Sequence, residues 1–262
     1  MAIGGLNESL LHASLKRLVA PDGAHFEVAV DGYVIDAVSD DLLIEIQTGR
    51  VGRLRPKLQR LLTGYRVRLV IPVAAERWIV RRGADGACPR RRSPKRAGLL
   101  DALAELTGIA TLLDHPNLEV EAALVHDEEV REHRPGSAWR RRGWVTVERR
   151  LLRLASRHRL AGARAWLDAL PPGLPEPFTT LDVAGHAARR PIAQRAVYVL
   201  REAGVVVPCG RDGRAPIYAV RPVSVRSPAP ARSLALAASP APAGSSVAEP
   251  SSAPAVSRST EA

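Results

Sequence analysis

The strongest constraint on the fold lies in residues 33–47, where two β-branched runs flank a three-residue turn cluster. Tyr33–Val38 and Leu42–Gln47 are separated by Ser39-Asp40-Asp41, which reads as a hairpin. Side chains two apart on a strand share a face, so Glu45 and Gln47 point one way and Ile44 and Ile46 the other. Asp36 interrupts the apolar run of the paired strand. A hairpin of this length brings Asp36 beside Glu45 and Gln47 at one edge of a small sheet. Two carboxylates and an amide oxygen form a hard, oxygen-rich set suited to Mg²⁺ or Mn²⁺. The bland alternative is a half-buried hairpin with charged residues on its wet face.

The surrounding pattern predicts an α/β layer. Leu6, Leu10, Leu11, Leu15 and Leu18 form a helical stripe ended by Pro21-Asp22-Gly23. Phe26–Val30 is a strand leading into the hairpin. Leu54, Leu58, Leu61 and Leu62 mark the next helix, stopped by Gly64, and Lys57 lies beside that stripe within reach of the sheet edge. Arg66–Val73 and Trp78–Val80 read as two further strands, Gly83–Arg96 as a loop, Leu99–Leu113 as a helix and Leu118–Val125 as a strand. Glu119 and Glu121 are expected on a solvated face of that strand. Leu151–Leu170 has helical character, and Pro171–Pro177 is a stiff break. Thr179 or Thr180 caps a short helix, a second helix spans Arg189–Ala203, and a hairpin turns at Gly210–Arg214.

The order helix, strand, Asp36, strand, Glu45-Ile46-Gln47, helix, strand resembles the PD-(D/E)XK nuclease superfamily. That resemblance implies a small mixed-sheet, restriction-endonuclease-like core that hydrolyses phosphodiester bonds with Mg²⁺ or Mn²⁺. Asp36 and Glu45 would hold the metal, with Glu8 assisting from the first helix. Gln47 stands where the family usually has lysine; it would position water or complete the metal's shell. Lys57 would supply the displaced lysine. Residues 178–220 are similar to a winged helix-turn-helix domain. By that resemblance Arg189, Arg190, Gln194 and Arg195 would enter a DNA groove, with Arg211 and Arg214 at the wing tip. Winged helices also serve as protein-contact modules. Glu45-Ile46-Gln47-Thr48-Gly49, Ser93-Pro94-Lys95, Arg140-Arg141-Arg142-Gly143-Trp144 and Phe178-Thr179-Thr180 together resemble an uncharacterised prokaryotic family with the same order.

Charge distribution bears on partners. The net charge of +11 is blocked along the chain: residues 81–100 carry +6, residues 101–130 carry −8 and residues 131–170 carry +8. The basic blocks suggest polyanion contact through Arg91, Arg92, Lys95, Arg141 and Arg142. DNA is the expected partner, and a second copy of the chain is a further one. The sequence has no apolar signal region and no run of transmembrane length, so no membrane partner and a cytoplasmic or nucleoid-associated location are expected. Cys88 and Cys209 match no zinc or redox spacing and read as free thiols.

The expected organisation is a nuclease-like domain over residues 1–130, a basic linker and winged-helix domain of α+β class over 131–222, and a disordered Ala/Ser/Pro-rich tail over 223–262. The expected function is metal-dependent DNA cleavage. The alternative is an inactive nuclease-like protein that binds DNA in a regulatory or docking role.

Overall fold

In a computed structural model, residues 9–83 and 86–222 are described. Glu8 and the 223–262 tail lie outside the described residues.

Helix α1 (Leu10–Val19) starts where the Ser9 hydroxyl accepts from the His12 amide at 3.3 Å. Strands β1 (His25–Val30) and β2 (Tyr33–Ser39) are joined by Asp31 and Gly32 alone, both at positive φ, 50° and 81°. That two-residue loop matches the twist of the flanking strands, and Asp-Gly suits it because one residue is glycine and the other tolerates the left-handed region. Strand β3 (Leu42–Ile46) completes the meander, with Ala37 opposite Ile44 and Val38 opposite Leu43. A short 3₁₀ turn, Val51–Leu54, feeds α2 (Arg55–Leu61), which crosses over to β4 (Arg66–Arg82), parallel to β3.

Strand β4 is a single element where two strands were expected, and a bulge between Ala74 and Glu76 absorbs the break in pattern. On one side it pairs in parallel with β6 (Leu118–His133) along nearly its whole length. On the other side β3 accompanies it only through Val70, and β5 (Arg90–Arg92) only from Trp78 to Val80. Between those pairings this edge of β4 takes backbone hydrogen bonds, among the described residues, only from the Ser93 amide to Arg77 and the Ala97 amide to Ala74. Pro72, which has no N–H to donate, lies in that interval beside a cleft. Part of the expected 83–96 loop is therefore strand.

The expected helix at Leu151–Leu170 is largely wrong. Residues Trp144–Ala161 form strand β7, antiparallel to β6, and only Ala163–Ala169 winds into a 3₁₀ helix. Leucine, arginine and alanine favour helices locally, but pairing with β6 decides the outcome. The sheet, in the order β1-β2-β3-β4-β6-β7 with β5 beside β4, thus extends past residue 130 to Ala161. The expected Leu99–Leu113 helix is α for one part, α3 (Leu99–Glu105), and tightens to 3₁₀ over Leu106–Leu112.

One face of the sheet packs Leu11, Leu15 and Val19 of α1 against Ile44, Ile46, Val70 and Val125. The other face packs Leu58 and Leu61 of α2, Leu103 of α3 and the neighbouring Leu106 against Leu43, Leu69 and Val120. This second core continues into the C-terminal unit through Ala196, Val199 and Leu200 of α5 (Arg190–Glu202). There α4 (Thr180–Ala184) is capped by Thr179, whose amide donates to Asp182 at 2.7 Å. Strands β8 (Phe178–Thr179), β9 (Val206–Asp212) and β10 (Ala215–Val220) form a three-stranded sheet in the order β8-β10-β9. Among the described residues, no helix is long and apolar enough to cross a membrane. Cys88 and Cys209 are free and exposed.

Candidate functional site

Continuing the β2–β3 register outward from Ala37 and Ile44 brings Asp36 level with Glu45. The Ile46 amide donates to Asp36 Oδ2 at 2.7 Å, and His12 Nε2 of α1 lies 3.2 Å from the same oxygen. Burial pushes the Asp36 carboxyl up. The hydrogen bonds from His12 and the Ile46 amide, with the charges of His12 and Lys57, outweigh it and hold the group below its ordinary range. Glu45 is buried, and its Oε1 accepts a short hydrogen bond from the ammonium of Lys57 on α2. Lys57 also donates to the Val34 carbonyl at 2.7 Å, which fixes it against β2. Burial, with the Asp36 charge adding to it, raises Glu45 to about 7 despite Lys57.

The structure therefore brings Asp36, Glu45 and Lys57 together, joined by His12, a residue that spacing alone did not single out. Gln47 departs from the expected role. Its side-chain amide donates to the Arg50 carbonyl at 3.2 Å and its oxygen accepts from the Gly49 amide at 3.4 Å, so both ends serve the turn after β3. Among the described residues no group of three His, Cys, Asp or Glu side chains could hold a metal. The donor set does fit Mg²⁺, which binds through one or two carboxylates and keeps several waters. Two carboxylates meet at one hairpin end, where burial and, to a lesser degree, the Asp36 charge raise Glu45, and a cation there would relieve both.

Beyond Gln47 opens the cleft of about 820 Å³ that occupies the gap along β4. Its floor includes Ile71, Val73 and Ile79, and its far wall includes Arg77, Arg131 and Arg149. These arginines are held by two buried acids of β6. Arg77 donates from Nε and Nη2 to Asp127 at 2.8 and 2.7 Å and from Nη1 to Glu129 at 3.1 Å. Arg149 Nη2 reaches Asp127 at 2.7 Å, and Arg131 Nε reaches Glu129 at 2.9 Å.

The expected DNA-contacting residues fall into separate groups. Arg91, Lys95 and Arg141 line the cleft, while Arg92 faces Glu76 at 3.5 Å and Arg142 is exposed in the turn before β7. Arg189 is not free for a groove: it donates to Asp101 of α3 at 2.7 Å and ties α5 to the sheet unit. Arg190, Gln194 and Arg195 are exposed on α5, and Arg211 and Arg214 are exposed on the β9–β10 hairpin.

Glu121 is also corrected. It is fully buried and accepts from Arg157 at 2.5 Å and Arg159 at 3.0 Å, while Glu119 takes a short hydrogen bond from Arg68. The acidic block and the basic block after it are cross-strand partners, so much of the arginine charge of β7 is neutralised within the sheet. Acids at 119, 121, 127 and 129, followed by an Arg-rich segment of similar length, was the signal for this pairing.

A family model described as "Domain of unknown function (DUF8091)" matches residues 9–161, which is the span from α1 to the end of β7. The chain is similar to an uncharacterized protein of Treponema pallidum (strain Nichols), 31% identical over 234 residues, covering 88% of this chain and 92% of that protein. No solved structure matches significantly.

Proposed function

The chain belongs to the DUF8091 family, and we propose that it is a metal-dependent phosphodiester hydrolase acting on DNA at the Asp36–Glu45 edge. The observation that carries this reading is the Lys57 ammonium, delivered from α2 onto Glu45 beside Asp36. Two acids and a lysine at the open end of a hairpin form a set able to bind a scissile phosphate whose acceptor is water. The lysine comes from the helix, because residue 47 is glutamine and is spent on its own turn.

In this reading Asp36 and Glu45 hold the cation, with Asp36 oriented by the Ile46 amide and His12. When bound, Mg²⁺ or Mn²⁺ supplies an activated water and charge neutralisation at the phosphate. Lys57 offsets the negative charge that builds on the phosphoryl oxygens in the transition state. The exposed α5 side chains Arg190, Gln194 and Arg195, with Arg211 and Arg214 of the β9–β10 hairpin, dock the duplex in the manner of a winged helix.

The test is Mg²⁺ or Mn²⁺ titration with labelled duplex, single-stranded and branched DNA, for the protein and for Asp36→Ala and Glu45→Gln. Metal-dependent cleavage lost in both variants is the expected result. A second reading, a DNA-binding protein without catalysis, is favoured by the engagement of Gln47 away from the acids. DNA binding with no cleavage under either metal establishes that reading instead.

A further inference from the structure

The arginine-walled cleft has no role in holding the cation, and its construction goes beyond structural need. Two carboxylates, Asp127 and Glu129, are buried in β6 and anchor Arg77, Arg131 and Arg149 along one wall. A guanidinium carries five N–H donors, and Arg131 spends only its Nε–H on Glu129 in this anchoring. The buried acids therefore fix the guanidinium planes while donors remain for a second anion.

At the mouth stand Arg50, Arg91 and Lys95, which have no carboxylate partner among the described residues. Among the described residues, seven arginine and lysine side chains line the cleft against three carboxylates. Between these groups the apolar lining is Ile71, Val73 and Ile79, only 3, 6 and 5% exposed, with Pro72, Ala74 and Pro94 beside them. A basic rim over an apolar floor suits a ligand that is anionic along one side and flat and apolar along the other.

We propose that this cleft seats a single-stranded segment of nucleic acid, its phosphates on the arginines and its bases against the β4 floor. The chemistry selects a single strand over a duplex. A duplex keeps its bases stacked and paired and offers a surface of this kind only its backbone, whereas an unpaired strand can turn its bases onto an apolar surface. The volume agrees, because about 820 Å³ lies within the roughly 300–1,000 Å³ of small-ligand sites and admits a few nucleotides. Among the described residues no aromatic side chain lines the cleft, so recognition rests on phosphate contact and is tolerant of sequence.

The position of Gln47 at the near end gives the seat a direction. A strand whose scissile phosphate lies at Glu45 and Lys57 continues past Gln47 into the cleft, and this part of the inference rests on the hydrolase reading. The substrate is then DNA with an unpaired arm, the duplex lying toward α5 and the arm along β4. A free nucleoside phosphate has the same chemistry on the scale of one unit, and the experiment separates the two.

Binding is measured by fluorescence anisotropy of a labelled oligothymidylate in EDTA, so that cleavage plays no part in the readout. A blunt duplex of equal length and thymidine monophosphate serve as competitors. The variants are Arg91→Ala/Lys95→Ala, which alters only exposed side chains, and Ala74→Trp, which fills the cleft without removing charge. The oligothymidylate is expected to bind more tightly than the duplex competes, with affinity falling as salt rises.

The double alanine variant lowers the slope of log affinity against log salt by about 1.4, from two phosphate contacts at roughly 0.7 each on single strands. Ala74→Trp weakens binding tenfold or more with the slope unchanged. Binding unaffected by both variants overturns the proposal, as does equal competition by the duplex. Displacement by thymidine monophosphate at an equal phosphate concentration overturns it in favour of a nucleotide pocket. Single-strand binding in EDTA without any cleavage in Mg²⁺ leaves the seat standing and removes the hydrolase reading. Cleavage in Mg²⁺ with no effect of the variants does the reverse.

Discussion

Acid should unlock the arginine wall, and Glu129 is where the effect is largest. Its carboxylate is almost fully buried and accepts from Arg131 at 2.9 Å, Arg77 at 3.1 Å, Arg141 at 3.4 Å and, by a short hydrogen bond, the Thr146 hydroxyl. Burial raises its pKa, but the Arg131 and Thr146 hydrogen bonds and the charges of Arg131 and Arg77 bring it from 4.5 down to about 2. Because the folded value is lowered, the stability it confers is complete above the unfolded value. It is lost as pH falls from about 4.5 to about 2. At about 1.4 kcal/mol per pH unit, that interval corresponds to about 3 kcal/mol.

Glu129→Gln cannot titrate and leaves Arg131 without its anion, while Arg77 keeps Asp127, at a cost of about 3–5 kcal/mol near neutral pH. Urea unfolding followed by circular dichroism, repeated from pH 6 to pH 2, should show the two proteins converging as the pH falls. Contributions common to both proteins cancel in the difference. Parallel stability profiles for the two would refute the assignment of this interval to Glu129.

Two other perturbations probe the fold and the site. A Cβ on Gly108 would lie 2.3 Å from the Gly52 Cα, backbone against backbone, so Gly108→Ala should cost about 1–3 kcal/mol and lower Tm by several degrees; an unchanged Tm would contradict that close approach. Lys57→Met keeps the aliphatic stem but removes the ammonium. Single-turnover cleavage at saturating Mg²⁺ should fall about 10²- to 10³-fold with circular dichroism unchanged, and a retained rate would confine Lys57 to holding Glu45 and Val34 in place.

Local signals carried part of the architecture. The Ser39–Asp41 turn between two β-branched runs, the leucine stripes of α1 and α2, and the Thr179 cap are each written within a few neighbouring residues, and the structure has elements at those places. The hairpin register follows from the same short-range pattern and sets Asp36 beside Glu45, whereas Lys57 on α2 is a candidate only through the family resemblance. Gln47 was harder to place, since a strand position fixes its face but not what its amide finds nearby.

The sequence by itself determined the period of each short element and the order in which the elements follow. Only the tertiary structure decided the state of residues 144–161, where helix-forming residues lie in a strand because β6 offers a ladder and a row of acids. The same pairing turned Glu121 from an expected surface residue into a buried anion, and Asp127 and Glu129 into anchors for the arginine wall. It also decided that Arg189 ties two units together and that β4 runs past the end of β3 to leave a cleft. The physical reason is common to all of these. A charge has no settled meaning along the chain until folding supplies its partner. A buried carboxylate is tolerable only where a cation from elsewhere in the fold meets it, guanidinium groups of β4 and β7 for the β6 acids and the Lys57 ammonium for Glu45.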